Sequence, residues 1–209
     1  MTRALAVARY VASDAWRSQR VLIPAALQLG VLAVLFGGDP GALPAPWGAS
    51  VLALYPVAAW LALTLAQTED PVQRSVTVAA AGGPGPVAAG TLVVAVAADV
   101  LLSTLSVAWP LVATPYGASP ATVLTGLLAH LAAGLAGTAV GFGCALLPRI
   151  GWSLAAGVIV VLATAVQPWL PPVGAAVAAL ETGSGSLIVP VGVALLLVAA
   201  GTAALARRS

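Results

Sequence analysis

The chain has no lysine, one histidine, one cysteine and one methionine, and only 7% of its 209 residues are charged. Each scarcity excludes something. A phosphate-binding loop needs a Gly-x-x-x-x-Gly-Lys run followed by Ser or Thr, so a chain without lysine carries no such nucleotide site. A single cysteine, Cys144, rules out an intrachain disulfide, and a single His130 with no cysteine cluster offers no metal site. The net charge of +2 is spread without any basic run, so nothing points to nucleic acid. With 61% hydrophobic residues, a soluble domain of this length would have no way to hide its apolar surface. The apolar residues run continuously rather than alternating, which excludes barrel strands. An all-α polytopic membrane protein, a single transmembrane domain over 1–209, is the expected class.

Six apolar stretches are present: 21–37, 47–66, 90–114, 121–147, 150–166 and 187–206. A crossing helix takes about 17–25 residues, so the first and fifth are at the short limit. The basic residues are all arginine: Arg3, Arg9, Arg17, Arg20, Arg74, Arg149, Arg207 and Arg208. With six crossings, every one falls in the amino-terminal segment, the second or fourth loop, or the carboxyl tail. Short loops rich in Arg stay cytoplasmic, so both termini are expected inside a cell membrane. Five tryptophans, Trp16, Trp47, Trp109, Trp152 and Trp169, fall at expected water–lipid boundaries, where indoles concentrate, and Trp60 lies within a span.

Residues 3–20 read as an amphipathic helix lying in the headgroup region. Arg9, Ser13, Arg17 and Arg20 mark one face; Leu5, Ala8, Val11, Ala12, Ala15 and Trp16 mark the other. A plain cytoplasmic extension of the first span is the alternative. Charges at Arg9, Asp14, Arg17 and Arg20 interrupt this segment, unlike a secretory signal. Pro148 and Arg149 form a short inner turn. Between the fifth and sixth stretches, Pro168, Pro171 and Pro172 break the chain, 173–180 is apolar enough to re-enter the bilayer, and Gly183, Ser184 and Gly185 release it.

The inner loop from Gln67 to about Ala89 holds the most structured piece outside the spans. Asp70 is a helix N-cap, Pro71 suits the first helical position, and Gln73 stands three after the cap, where a capping box is closed. Glu69 and Asp70 complement the positive end of the helix dipole. Gly82-Gly83-Pro84 ends the helix, giving a cytoplasmic helix over 71–81. It is either a rigid docking element or an interfacial cover for the bundle.

An amphipathic leading helix, six spans, and the stretch Thr-Glu-Asp-Pro-Val-Gln-Arg-Ser-Val-Thr-Val-Ala-Ala-Ala-Gly-Gly at 68–83 together resemble the permease subunit of a type-2 ABC exporter, in its small actinobacterial-type form. The resemblance implies that the helix over 71–81 is a coupling helix seated in a separate ATPase subunit, with Glu69, Asp70, Pro71, Gln73 and Arg74 in the contact. It implies two ATPase copies holding ATP and Mg, a second permease copy, and no cofactor or catalytic residue on this chain itself. The first outer loop is small, and no large outer domain is present. The apolar path favours a lipophilic or amphiphilic cargo moved by alternating access. A small-solute uptake component and a non-transport scaffold or membrane enzyme are the alternatives; an enzyme would need a convergent set of acids, bases or nucleophiles.

Asp99 lies nine residues past Gly90 and His130 nine past Ala121, each roughly 13–14 Å into its span. An ionisable group at that depth costs about 2.5–3.5 kcal/mol on insertion scales, so it faces the interior or finds a partner. Both residues are candidate pathway or proton-relay groups. The alternative is a neutral side chain bonded to Ser103, Thr104, Thr125 or backbone. Gly126, Gly134, Gly137, Gly141 and Gly143 make the fourth span small-sided, and Gly137-x-x-x-Gly141 predicts close helix packing.

Overall fold

The computed structural model describes residues 2–147, 149–165, 167, 170–182 and 186–207, and every regular element among them is helical. In chain order they are α1 (Arg3–Ser18), α2 (Leu22–Leu35), α3 (Trp47–Ala66), α4 (Pro71–Ala81), α5 (Pro84–Ala113), α6 (Pro120–Cys144), α7 (Ile150–Ala165), α8 (Val173–Thr182) and α9 (Ile188–Arg207). Four of them, α3, α5, α6 and α9, are long and apolar enough to cross a membrane. A fifth crossing arises if α1 and α2, bent by 73° at Gln19, are counted as one broken span. The protein is therefore a helical membrane protein. Large apolar side chains on the bundle's outside fit a hydrocarbon solvent; Val112 is 89% exposed and Ile188 82%.

The helix ends follow local chemistry. Gln19 adopts the left-handed conformation (φ 56°) and closes α1 by donating its N–H to the Trp16 carbonyl, so Arg20 lies beyond the helix expected to reach it. Ser119 caps α6 by accepting the Thr122 N–H at 3.2 Å, with Pro120 at the first helical position. The third apolar helix begins at Pro84, not at Gly90. Pro84 and Pro86 sit in the first turn, where backbone N–H groups have no partner inside the helix, so the missing donors cost nothing. The loop expected to reach Ala89 ends at Gly83, and Asp99 stands fifteen residues past Pro84, at the middle of a 30-residue helix. The fourth helix stops at Cys144, short of Leu147. At 14 residues, α2 is about 21 Å long, short of a core of about 30 Å.

Helix α6 is the hub. It runs parallel to α3: Gly126 faces Trp47, Gly137 faces the Tyr55 carbonyl and Gly141 faces the Ala59 carbonyl. Helix α5 runs antiparallel to it and buries Thr91, Ala95, Asp99, Ser103, Ser106 and Val107, a stripe with helical period. On another side, α9 packs Ala194 and Val198 against Leu135. Helix α7 is tied to α3 near both its ends, by Tyr55 Oη to Thr164 Oγ1 (2.8 Å) and by Gln67 Nε2 donating to Ser153 Oγ (3.2 Å). Val173, Ala176, Ala179 and Leu180 of α8 are buried at the end of the bundle where α3 starts. At the opposite end, α1 lies against α5, its Val7 and Ala8 filling the space over Gly90.

Two sequence expectations change. Trp47 is not a boundary anchor; it is fully buried against Gly126. The apolar face of α1 divides: Ala8, Val11 and Ala15 are buried against the protein, while Leu5, Ala12 and Trp16 stay exposed, as an interfacial helix requires. Trp16 and Trp152 are exposed, and so is Trp60. The expectations for Pro148, Val166, Pro168, Trp169, 183–185, Arg208 and Ser209 lie outside the described residues.

One link joins the loops at the α8 end. Tyr116 Oη donates to Asp39 Oδ1 at 2.7 Å, and the Gly41 N–H donates to the same oxygen at 3.1 Å. The Tyr116 bond, then the backbone bond, holds the Asp39 carboxyl below its ordinary value; the same contact raises Tyr116. A depressed carboxyl contributes stability above its unfolded pKa and loses it as pH falls through the folded one. A raised phenol contributes below its unfolded pKa and loses it as pH rises. The link is therefore present between about pH 4 and about pH 10. Tyr116→Phe should raise the Asp39 titration toward that of a free Asp, with the Gly41 bond still in place, read by carboxyl carbon NMR. An unchanged Asp39 titration would show the bond absent in solution.

Candidate functional site: a capped helix and a buried polar seam

Helix α4 is closed at both ends by side chains and backbone of its own segment. Asp70 Oδ1 accepts the N–H groups of Val72 (2.8 Å) and Gln73 (2.9 Å), and Pro71 occupies the first turn. Gly82, at φ 80°, sends its N–H to the Ala79 carbonyl, and Gly83 sends its own to Val78, an interlocked pair of bonds that ends the helix. The Arg3 guanidinium lies over Gly82, where any Cβ would meet it. A cation at that carbonyl-rich end complements the helix dipole.

The expected capping box is only half formed. Gln73 does not return to the Asp70 N–H; its Nε2 donates to Tyr10 Oη of α1 at 2.6 Å. Burial pushes the Tyr10 hydroxyl up, and the Gln73 bond partly offsets this. Glu69 accepts Thr77 Oγ1 at 2.5 Å, and Arg74 Nη1 reaches the Ala66 carbonyl at 3.5 Å. So all five residues named for coupling hold α4 in place: Asp70 and Pro71 start it, Glu69 braces it, and Gln73 bolts it to α1. Arg74 ties it back to the end of α3. The outward face is left to Val72 (74% exposed), Ser75 and Val76 (64% exposed). Sequence reading missed these valines because an apolar residue on a short helix is normally assigned to the core. The signal was there: Val72 and Val76 are four apart, on a face that Thr77 and Val78 do not share.

Within the bundle, Asp99 and His130 are both completely buried and are not bonded to each other. Thr138 Oγ1 donates to Asp99 Oδ2 at 2.6 Å, while Asp99 Oδ1 has no hydrogen-bond partner. The carboxyl lies against Gly134 of α6, where a Cβ would come within 3.2 Å of it. His130 contacts Ser50 Oγ of α3 through Nε2 (2.8 Å) and the Gly126 carbonyl through Nδ1 (2.7 Å). Of the partners expected from sequence, only backbone is used. Thr104 and Thr125 bond their own helices, and Ser103 Oγ is buried without a partner. Gln28 was also missed; it is fully buried in α2 and donates to Ser106 Oγ at 2.9 Å. A lone amide in an apolar stretch requires such a partner.

A cleft of about 550 Å³ lies between α3, α6 and α7, walled by Pro56, Trp60, Leu63, Cys144, Gly157 and Leu162. Its walls offer no ionisable group except the Cys144 thiol. Among the described residues no three His, Cys, Asp or Glu side chains come together to hold a metal. The chain matches no protein-family model, no curated protein and no solved structure.

Proposed function

We propose that this chain is the membrane-spanning subunit of an ATP-driven exporter of the type-2 ABC kind, with six crossings and both termini cytoplasmic. In this reading α2, α3, α5, α6, α7 and α9 cross, α1 lies along the inner headgroups, and α4 is the coupling helix. The short α2 and α7 cross a bilayer thinned locally or completed by flanking residues. One observation carries the proposal: α4 is a rigid helix, capped at both ends and bolted to α1, that presents two exposed valines away from the bundle. A connector between two spans needs none of this. A partner that grips the valine face would move α4 and α1 together, and α1 bears directly on α5 at Gly90. ATP and Mg sit on that partner, in two copies, and a second permease chain completes the path. The apolar cleft beside Trp60 favours a lipophilic or amphiphilic cargo.

Purification from native membranes tests this. A lysine-containing ATPase should accompany the chain in about equal amounts. Glu69→Ala combined with Arg74→Ala should lower ATP turnover of the complex several-fold, because the brace and the tie both go, while the permease keeps its thermal midpoint. Unaltered turnover would remove α4 from the coupling role. A cysteine placed at Ser75 should react with an impermeant maleimide only after the cells are opened; labelling of intact cells would reverse the topology.

A further inference from the structure

We propose that the α3–α6 seam is a proton-binding site, with His130 taking up the proton and Ser50 and the Gly126 carbonyl holding it. The argument is a count of hydrogens. Three short contacts run in a row: Gly126 O to His130 Nδ1 (2.7 Å), His130 Nε2 to Ser50 Oγ (2.8 Å), and Ser50 Oγ to Trp47 O (3.0 Å). Both ends of the row are carbonyl oxygens, which only accept. All three contacts are hydrogen bonds only if three protons lie between them. A serine hydroxyl supplies one and a neutral imidazole supplies one. The third must be bound, and it turns the ring into an imidazolium donating from both nitrogens while Ser50 donates to Trp47. Without it, Ser50 must share its one hydrogen between His130 Nε2 and the Trp47 carbonyl, or one of the contacts sets two lone pairs against each other.

The compensating charge is in place. His130 and Gly134 are one turn apart on α6, about 6 Å between side-chain origins, and the Asp99 carboxyl lies on Gly134. Asp99 Oδ1 is buried without a hydrogen-bond partner, and Oδ2 accepts from Thr138, so one carboxyl oxygen is left open to a positive neighbour. The proton comes from bulk water, and the charge it brings is balanced by Asp99. Other ionisable groups on the elements around α6 are few. Tyr55 of α3 is turned to Thr164, and Glu181 of α8 lies near Gly48, above Ser50. Helix α9 carries only Arg207 at its far end, and α7 carries none. Binding the proton pins the first turn of α3 to α6; losing it releases one of the three contacts there. The site is independent of the coupling role of α4.

Because the chain has one histidine, selective ¹⁵N-histidine labelling reads this site alone. In nanodiscs of neutral lipid, the two ring nitrogens should pass from the doubly protonated to the neutral pattern between about pH 5 and about pH 8. Asp99→Asn should lower proton affinity at least tenfold, and Ser50→Ala should lower it by a similar factor. A ring that stays in one neutral tautomer across the whole range in the wild-type protein overturns the proposal, whether or not the variants fold. So does a titration that both folded variants leave unmoved, since that would describe a histidine exposed to water.

Discussion

Replacing Gly137 and Gly141 together with alanine should lower the thermal midpoint in detergent by about 10 °C and drive much of the protein into aggregates. A Cβ at Gly137 would land on the Tyr55 carbonyl and the Ala58 methyl; one at Gly141 would land on the Ala59 carbonyl and the Ala62 methyl. Neither obstacle is the flexible end of a side chain, so the two helices must separate. Overpacking costs about 1–3 kcal/mol per site, and 1 kcal/mol moves the midpoint by about 2–4 °C for a protein of this size. Alanine in a helix gains about 0.8–1 kcal/mol over glycine. The same substitution at Gly143 or Gly192, where nothing lies within 4 Å, should therefore leave the midpoint unchanged or raise it. Opposite signs at the two pairs of sites are the diagnostic result. A rise at all four sites would mean that helix propensity, not the α3–α6 approach, governs these positions.

Val72→Asp with Val76→Asp should abolish association with the proposed ATPase partner while leaving the chain folded. The two side chains stand one turn apart on the exposed face of α4. Seating two carboxylates in an apolar cleft without partners costs several kcal/mol, and each 1.4 kcal/mol is tenfold in affinity. A loss of at least about 100-fold follows, read by co-purification and by ATP turnover, with the thermal midpoint of the isolated chain unmoved. If α4 is instead only a cover at the inner headgroups, the double variant frees the helix from lipid and the partner still binds. Retained binding would sink the docking assignment.

Much of this fold is written in local chemistry. The span 47–66 and the helix at 71–81 appear where composition and caps place them, because a capped terminus and a continuous apolar run are decided within a few residues. The start of the third long helix was misplaced because Gly82 to Pro86 reads as loop, whereas proline in a first helical turn is permitted. Trp47 was misplaced because an indole near a span end has two homes, headgroups or a glycine-lined seam. Gly126 lies far away in the chain, and only packing brings the two together.

The polar site divides in the same way. That Asp99 and His130 need partners follows from residue type and depth alone. Which partners they take does not. Thr138 and Ser50 were ordinary span residues until the register between α5, α6 and α3 set them opposite. By itself the sequence determined the class of solvent, the helix content and the closed ends of α4. The tertiary structure alone decided which faces meet, that α4 is fastened to α1, and that His130 and Ser50 line up between two backbone carbonyls. The first kind of fact depends on residues close together in the chain. The second depends on how glycines let distant backbones approach, and a single sequence carries no record of that distance.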